Sequence, residues 1–238
     1  GEFDRMPPPH QMTRDLGASF GEYNIDGQGN HGYHPHAGIT DDDLRSAQAV
    51  YYGMVSFMDH WIGQPLDRLE ALGQLDNTLV VFTSDHGHFI GQHGLVAKGP
   101  FHYEDGIRVP VIVAAPGQSD EGSSSAAIQS IVDLAPTFLD AAGLGPAREM
   151  QGVSQLPGWR GETDFSGRRD HAIVENHHQA GDEVHLRTLI TDRYKLTVYR
   201  GRDWGELFDL RDDPGELRNH YDDPAYAAVK HELAMKLI

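Results

Sequence analysis

The densest polar cluster of the chain is Ser84-Asp85-His86-Gly87-His88, and His93, Lys98 and His102 follow it closely. A carboxylate oxygen next to an imidazole nitrogen suits a divalent cation. Gly87 permits a tight exit from that pair. Lys98 comes after a Gly-rich stretch and can place an ammonium over an anionic substrate, neutralising charge that develops on a leaving oxygen. The same residues also read as a turn cap with loop histidines, because Asp-His-Gly is a short pattern. The other acidic groups read as caps or solvated charges: Asp41-Asp42-Asp43 opens a helix, and Asp212-Asp213 and Asp222-Asp223 sit in turns. His34-Pro35-His36 reads as loop.

The elements that must position this cluster follow from periodicity. Residues 1–40 are loop-like. Thr40 with Asp43 resembles a capping box, and apolar residues then recur at helical spacing from Leu44 to Leu72. Pro65 should kink or divide this helix, and Gly73 suits its C-cap. The apolar run Thr78–Thr83 fits a strand buried on both faces, as in a parallel sheet, and Val109–Ala115 is a second. Asp85 and His86 therefore stand at a strand's carboxyl end, where ligands gather in open α/β sheets. Asp133–Gly143 reads as a helix with Pro136 in its first turn. Beyond about residue 145 come short strands at His171–Asn176, Val184–Thr191 and Tyr194–Tyr199, the last two joined as a hairpin through Asp192-Arg193. Glu206–Leu210 is a candidate fourth strand, and Pro224–Ile238 closes as a helix. The fold class is α/β, with a mostly parallel sheet and a small C-terminal antiparallel α+β appendage.

Composition narrows the function. The 238 residues carry 19 Lys plus Arg against 36 Asp plus Glu, a net charge of −17. That balance argues against a general nucleic-acid or anionic-membrane binder, which needs a basic face. No window approaches a membrane span. The absence of cysteine excludes disulfides, Cys-ligated zinc and a thiol nucleophile within these residues. Fifteen histidines leave room for metal or acid/base chemistry.

The stretch Leu79–Val113, centred on Ser84-Asp85-His86-Gly87 and Ala97-Lys98-Gly99-Pro100, resembles the C-terminal half of the sulfatase family, in the alkaline phosphatase-like superfamily. The likeness extends through Tyr51–Asp59, Leu69–Gly73, Asp133-Leu-Ala-Pro-Thr137, Arg193–Leu196, Gly205–Leu210 and Asp213-Pro-Gly-Glu216. It implies that residues 1–145 are the C-terminal part of the sulfatase α/β domain, 146–169 a linker, and 170–238 a small subdomain of four antiparallel strands and a helix. It also implies a sulfuric ester hydrolase in which Asp85 and His86 are two ligands of a divalent cation, Ca2+ by family habit. Histidine at the second position also resembles phosphonate monoester hydrolases, and admits Mn2+ or Zn2+. Lys98 matches the lysine that contacts the sulfate, and His102 is near enough to line the pocket. His88 and His93 have no assigned role.

One departure matters. The family makes its formylglycine nucleophile from Cys or Ser in a Cys/Ser-x-Pro/Ala-x-Arg element, and no arginine here has Cys or Ser four residues before it. The chain thus reads as a second half, whose partners are a sulfated small molecule or glycan and the N-terminal half of the same protein. Alone it is expected to be inactive. In the intact enzyme the implied chemistry is attack of the formylglycine hydrate on sulfur, with Lys98 stabilising the departing alkoxide. The ends fit this: Gly1–Pro9 reads as mid-chain loop without the parts of a signal peptide, and Lys230–Ile238 breaks off inside a helical pattern. The family favours a periplasmic or secreted location. Three alternatives stand beside it. One is a phosphonate or phosphodiester hydrolase of the same superfamily. Another is a metal-dependent amidohydrolase, suggested by His86-x-His88 alone. The third is a catalytically silent fragment that binds metal or a partner.

Overall fold

The computed structural model describes residues 34–35, 40–117, 119, 122–164, 168–178 and 184–237. Two compact units emerge among them. The described residues of Gly1–Ala49, His86–Val109 and Ile173–Ile238 form a sheet unit, and Val50–Asp85 with Pro110–Ala172 form a helical unit. The loop read over 1–40 lies outside the described residues, apart from His34–Pro35 and Thr40.

Helix α1 spans Asp41–Ala71. It begins on a reciprocal cap: the Asp43 amide donates to Thr40 Oγ1 at 3.2 Å, and the Thr40 amide to Asp43 Oδ2 at 3.0 Å. It ends in a Schellman turn, with Gly73 at φ 64° and its amide bonded to the Glu70 carbonyl, and the Gln74 amide bonded to that of Leu69. Pro65 does not divide it. The helix is nucleated well before that point, so it propagates across one missing amide donor. No residue of α1 is buried; Val50, Tyr52, Met54, Phe57 and Trp61 are all more than half exposed.

In the helical unit, β2 (Val80–Thr83) pairs with β5 (Val111–Ala114), Val80 opposite Ala114 and Thr83 opposite Val111. The pair is antiparallel, not parallel as the apolar runs suggest. An unbroken apolar run reports that both faces seek cover and carries no information on strand direction. Ile112 is 62% exposed within these residues. Helix α3 (Leu134–Ala141) follows a 3-10 turn at Ile131–Asp133 that Ser130 and Asp133 close as a capping box. Asp133 is 1% exposed, accepts from the Val153 amide at 2.9 Å, and holds Arg169 through two guanidinium bonds of 2.7 and 2.5 Å. Residues 146–169 carry structure of their own. They include α4 (Leu156–Trp159), with Leu156 and Trp159 buried, and the Gln155 amide donates to Thr137 Oγ1 of α3.

The sheet unit contains two sheets. In the first, β1 (His34–Pro35), β4 (Leu95–Ala97) and β3 (Phe89–Ile90) pair in that order, antiparallel. Thus His34–Pro35, read as loop, is a short strand; two residues are too few for any period to register. The second sheet has the order β6 (Ala172–His178), β7 (Val184–Ile190), β8 (Tyr194–Tyr199), β9 (Gly205–Asp209). β7–β8 and β8–β9 are antiparallel, in a register that puts Leu189, Leu196 and Leu207 side by side. These three pack on Leu233 and Leu237 of α5 (Ala227–Leu237). The alternate residues Thr188, Lys195, Thr197, Glu206 and Phe208 face the other way, as strand alternation requires. Against that second face lies the segment 86–109, through a core of Phe89, Leu95, Phe101, Tyr103 and Phe208.

Candidate functional site

The site is best followed within the sheet unit. His86 leaves the strand end with its Nδ1 2.7 Å from the Gly87 carbonyl, while its Nε2 lies 3.3 Å from Lys98 Nζ. An ammonium can only donate, so Nε2 carries the lone pair and Nδ1–H donates to the carbonyl. A backbone carbonyl fixing one imidazole nitrogen is how metal-binding histidines present the other. An imidazole nitrogen of this kind suits a divalent cation, which would take the lone pair that Lys98 holds here. Asp85, at the end of β2 in the helical unit, presents an exposed carboxylate that accepts from Ser84 Oγ at 3.3 Å. Among the described residues no group of three or more His, Cys, Asp or Glu converges as a metal site.

Gly87 is required by space. Its amide donates to the Gly106 carbonyl at 2.8 Å, and a Cβ there would fall inside the Asp105 carbonyl group. Lys98 follows Ala97, which adopts φ 65°, a left-handed conformation unusual for a residue with a side chain. It is half-buried. The segment then dives inward: Pro100, Phe101, His102 and Tyr103 are all buried before the single turn α2 (Glu104–Ile107).

The remaining histidines separate clearly. His102 is 5% exposed and its Nδ1 lies 2.8 Å from Thr188 Oγ1, which in turn is 2.8 Å from Thr197 Oγ1. Burial, with the charge of Lys195, pushes its pKa down to about 3, so it is a neutral hydrogen-bonding residue seated on β7. His93 stacks on Tyr103 with ring centroids 3.9 Å apart, and burial lowers its pKa to about 4. His88 is exposed, and its pKa is lowered by partial burial and then by His86 and Lys98. Of the residues singled out from sequence, the structure thus brings His86 and Lys98 together and seats His102 on the sheet below them.

A buried ionic group was missed. Lys195, on β8 and 1% exposed, bridges Glu104 Oε1 at 3.3 Å and the carboxylate of Glu216. Glu216 is pushed up to about 7 by burial, against the pull of Lys195 and of the Glu104 amide. On the same face Tyr199 donates to Glu206 at 2.9 Å. The signal was available: in Tyr194–Tyr199, Lys195, Thr197 and Tyr199 alternate with Leu196 and Val198, which assigns a polar face to the sheet.

Known proteins share this arrangement of sequence and fold. The family model for sulfatases matches residues 9–144, and that for the N-sulphoglucosamine sulphohydrolase C-terminal region matches residues 91–238. The N-acetylglucosamine-6-O-sulfatase of Bacteroides thetaiotaomicron is 36% identical over 191 residues, which is 79% of this chain and 34% of that protein. A solved structure of a protein bound to its substrate D-glucosamine-2-N,6-O-disulfate superposes with a TM-score of 0.72 at 35% identity, over 77% of this chain and 38% of that one. The phosphonate monoester hydrolase of Agrobacterium radiobacter does so with a TM-score of 0.78 at 31% identity, over 84% and 42%. The chain spans less than half the length of these relatives. By its two family matches, its α/β fold with the C-terminal antiparallel sheet, and its likeness to these structures, the chain belongs to the sulfatase family of the alkaline phosphatase-like superfamily, and corresponds to its C-terminal region.

Proposed function

We propose that the protein containing this chain is a sulfuric ester hydrolase acting on a sulfated sugar. The observation that carries the reading is the half-buried Lys98 ammonium beside His86 Nε2, within the stretch that matches the sulfatase model. The similarity to an N-acetylglucosamine-6-O-sulfatase and to a structure holding a disulfated glucosamine favours an amino-sugar sulfate as substrate.

In this reading Asp85 and His86 hold a divalent cation, with Ca2+ first and Mn2+ or Zn2+ admitted by the imidazole. When bound, such a cation would supply Lewis-acid polarisation of the sulfate ester. The Gly87 carbonyl keeps the His86 proton on Nδ1, so Nε2, which accepts from Lys98 here, would be freed for the cation once the ammonium turns to the sulfate. The Lys98 ammonium orients the sulfate and neutralises the charge developing on the ester oxygen as the S–O bond breaks. His102 supports the segment bearing Lys98 from below through Thr188; an edge of its ring on the substrate pocket is the further role it would have. The nucleophile comes from residues outside these 238, as do the remaining ligands. The apolar face of α1 and the exposed Val111, Ile112 and Phe138 support the same division of labour, since such surfaces are covered by other parts of a fold. The N-terminal half of the enzyme is the proposed cover, and export to the periplasm or beyond is the location the family favours.

Asp85→Ala in the full-length protein tests the ligand assignment: metal content by mass spectrometry should fall, and an unchanged content would refute it. A second reading, phosphonate monoester hydrolysis, is favoured by His86 and by the similarity to the Agrobacterium enzyme. Parallel turnover of an aryl sulfate and an aryl phosphonate separates the two. A protein inert to both would be the silent metal-binding form.

A further inference from the structure

We propose that Glu216, paired with Lys195, is a positioning residue for Lys98 against His86, acting through α2; this rests on the function proposed above. A single turn such as α2 cannot hold itself, because helix nucleation is unfavourable. It is held from the C-terminal sheet. Glu216 Oε2 accepts the Glu104 amide at 2.7 Å, and Lys195 Nζ ties the Glu104 side chain to the Glu216 carboxylate. Both members of the Lys195–Glu216 pair have side chains 1% exposed, so the pair is withdrawn from solvent. The turn that carries Glu216 is braced in its own right, with the Glu216 amide on the Asp213 carbonyl at 3.0 Å and the Arg218 amide on Asp213 Oδ2 at 2.8 Å. Glu216 itself adopts φ 53°, a conformation that costs about 1 kcal/mol or more in a residue with a side chain and persists where its surroundings demand it.

Two lines lead from α2 to the site. One is the Gly106 carbonyl, which takes the Gly87 amide, while Gly87 lies directly on the Asp105 backbone. This fixes the residue that follows His86. The other is the buried run Pro100–Tyr103, pinned by His102 on Thr188 and leading back to Lys98. The 3.3 Å approach of Lys98 to His86 is set where those lines converge. Displacing α2 moves Lys98 relative to His86.

The test is a double-mutant cycle in the full-length protein, read as kcat/KM on an aryl sulfate. Glu216→Ala should lower it by about a hundredfold, the loss expected of an ångström-scale misplacement. On a Lys98→Ala background the same change should cost at least about tenfold less, because coupled residues are not additive. An equal loss on both backgrounds would mark Glu216 as merely structural and overturn the proposal. Glu216→Gln keeps an acceptor for the Glu104 amide and should restore most of the activity; if it behaves like Glu216→Ala, the hydrogen-bonding part of the proposal is wrong. A second readout needs no turnover: acylation of Lys98 by an amine-reactive reagent, measured against Lys230. Glu216→Ala should speed labelling of Lys98 and leave that of Lys230 unchanged, and an unaltered Lys98 rate would contradict the inference. If Lys98→Ala leaves aryl sulfate turnover intact, the functional reading fails, while the labelling still decides the positioning.

Discussion

Replacing Lys195 by methionine keeps the unbranched apolar stem and removes the ammonium of a side chain that is 1% exposed. Among the described residues the Glu216 carboxylate then keeps the Glu104 amide as partner, and Glu104 loses its ammonium. Removing one partner of a buried ion pair costs about 3–5 kcal/mol. For a domain of this size that is roughly 10 °C in melting temperature. The pH dependence is the sharper test. With Lys195 present, burial holds Glu216 at about 7, above the 4.5 of a free carboxyl. Without Lys195 its folded pKa must rise further. Between 4.5 and the folded value, the unfolded state has lost the proton that the folded state retains, so stability falls as pH rises. Wild type stops falling near pH 7, whereas the variant continues. At one pKa unit per 1.36 kcal/mol, the charge-dependent part of the deficit should be near zero at pH 6 and grow by at most about 1.4 kcal/mol for each pH unit above 7. Chemical unfolding of the full-length protein at pH 6 and at pH 8.5 measures it. Adding Glu216→Gln to Lys195→Met should flatten the dependence. A deficit below about 1 kcal/mol at pH 8.5 would refute the reasoning, as would one equal at both pH values.

The other expectations concern separate contacts. Lys98→Ala in the full-length protein should lower kcat on an aryl sulfate by about 10²–10³-fold, the usual cost of one transition-state donor; a change confined to KM would reduce Lys98 to a binding residue. Gly87→Ala should destabilise by about 1–3 kcal/mol, since its methyl group meets the Asp105 backbone, and an unchanged melting temperature would contradict the tight packing there. Asp133→Ala should cost about 3–5 kcal/mol in urea unfolding by leaving Arg169 without its buried carboxylate, a loss that sulfate-ester turnover in native buffer should barely register.

Local signals were legible wherever a short stretch of chain decides the outcome. The Thr40–Asp43 cap, the helical spacing of α1, the Gly73 terminus and the β7–β8 hairpin at Asp192-Arg193 all follow from nearest neighbours. Features set by distant contacts were not. The apolar runs at β2 and β5 show a need for cover but not the antiparallel pairing that supplies part of it. Pro65 signals a helix break, yet one lost hydrogen bond does not stop a helix already formed. Strands β3 and β4 are too short for a period to register. Charged residues read as exposed from composition, and this hid Lys195 and Glu216, whose burial depends on partners 91 and 21 residues away along the chain. Asp85, His86 and Lys98 stood out by type and spacing, and acquired specific roles only through the family resemblance. The Gly87 carbonyl that sets the His86 tautomer, and the hydrogen bond that seats His102 on Thr188, depend on geometry that residue types alone do not encode.

The most direct measurement is sulfate release by the full-length, metal-loaded protein from glucosamine-6-sulfate and from an aryl sulfate, alongside an aryl phosphonate at equal concentration. The proposed function requires sulfate-ester kcat/KM to exceed that for the phosphonate by at least about tenfold, a difference of about 1.4 kcal/mol in transition-state stabilisation. Faster cleavage of the phosphonate, or no release of sulfate from either ester, would contradict it.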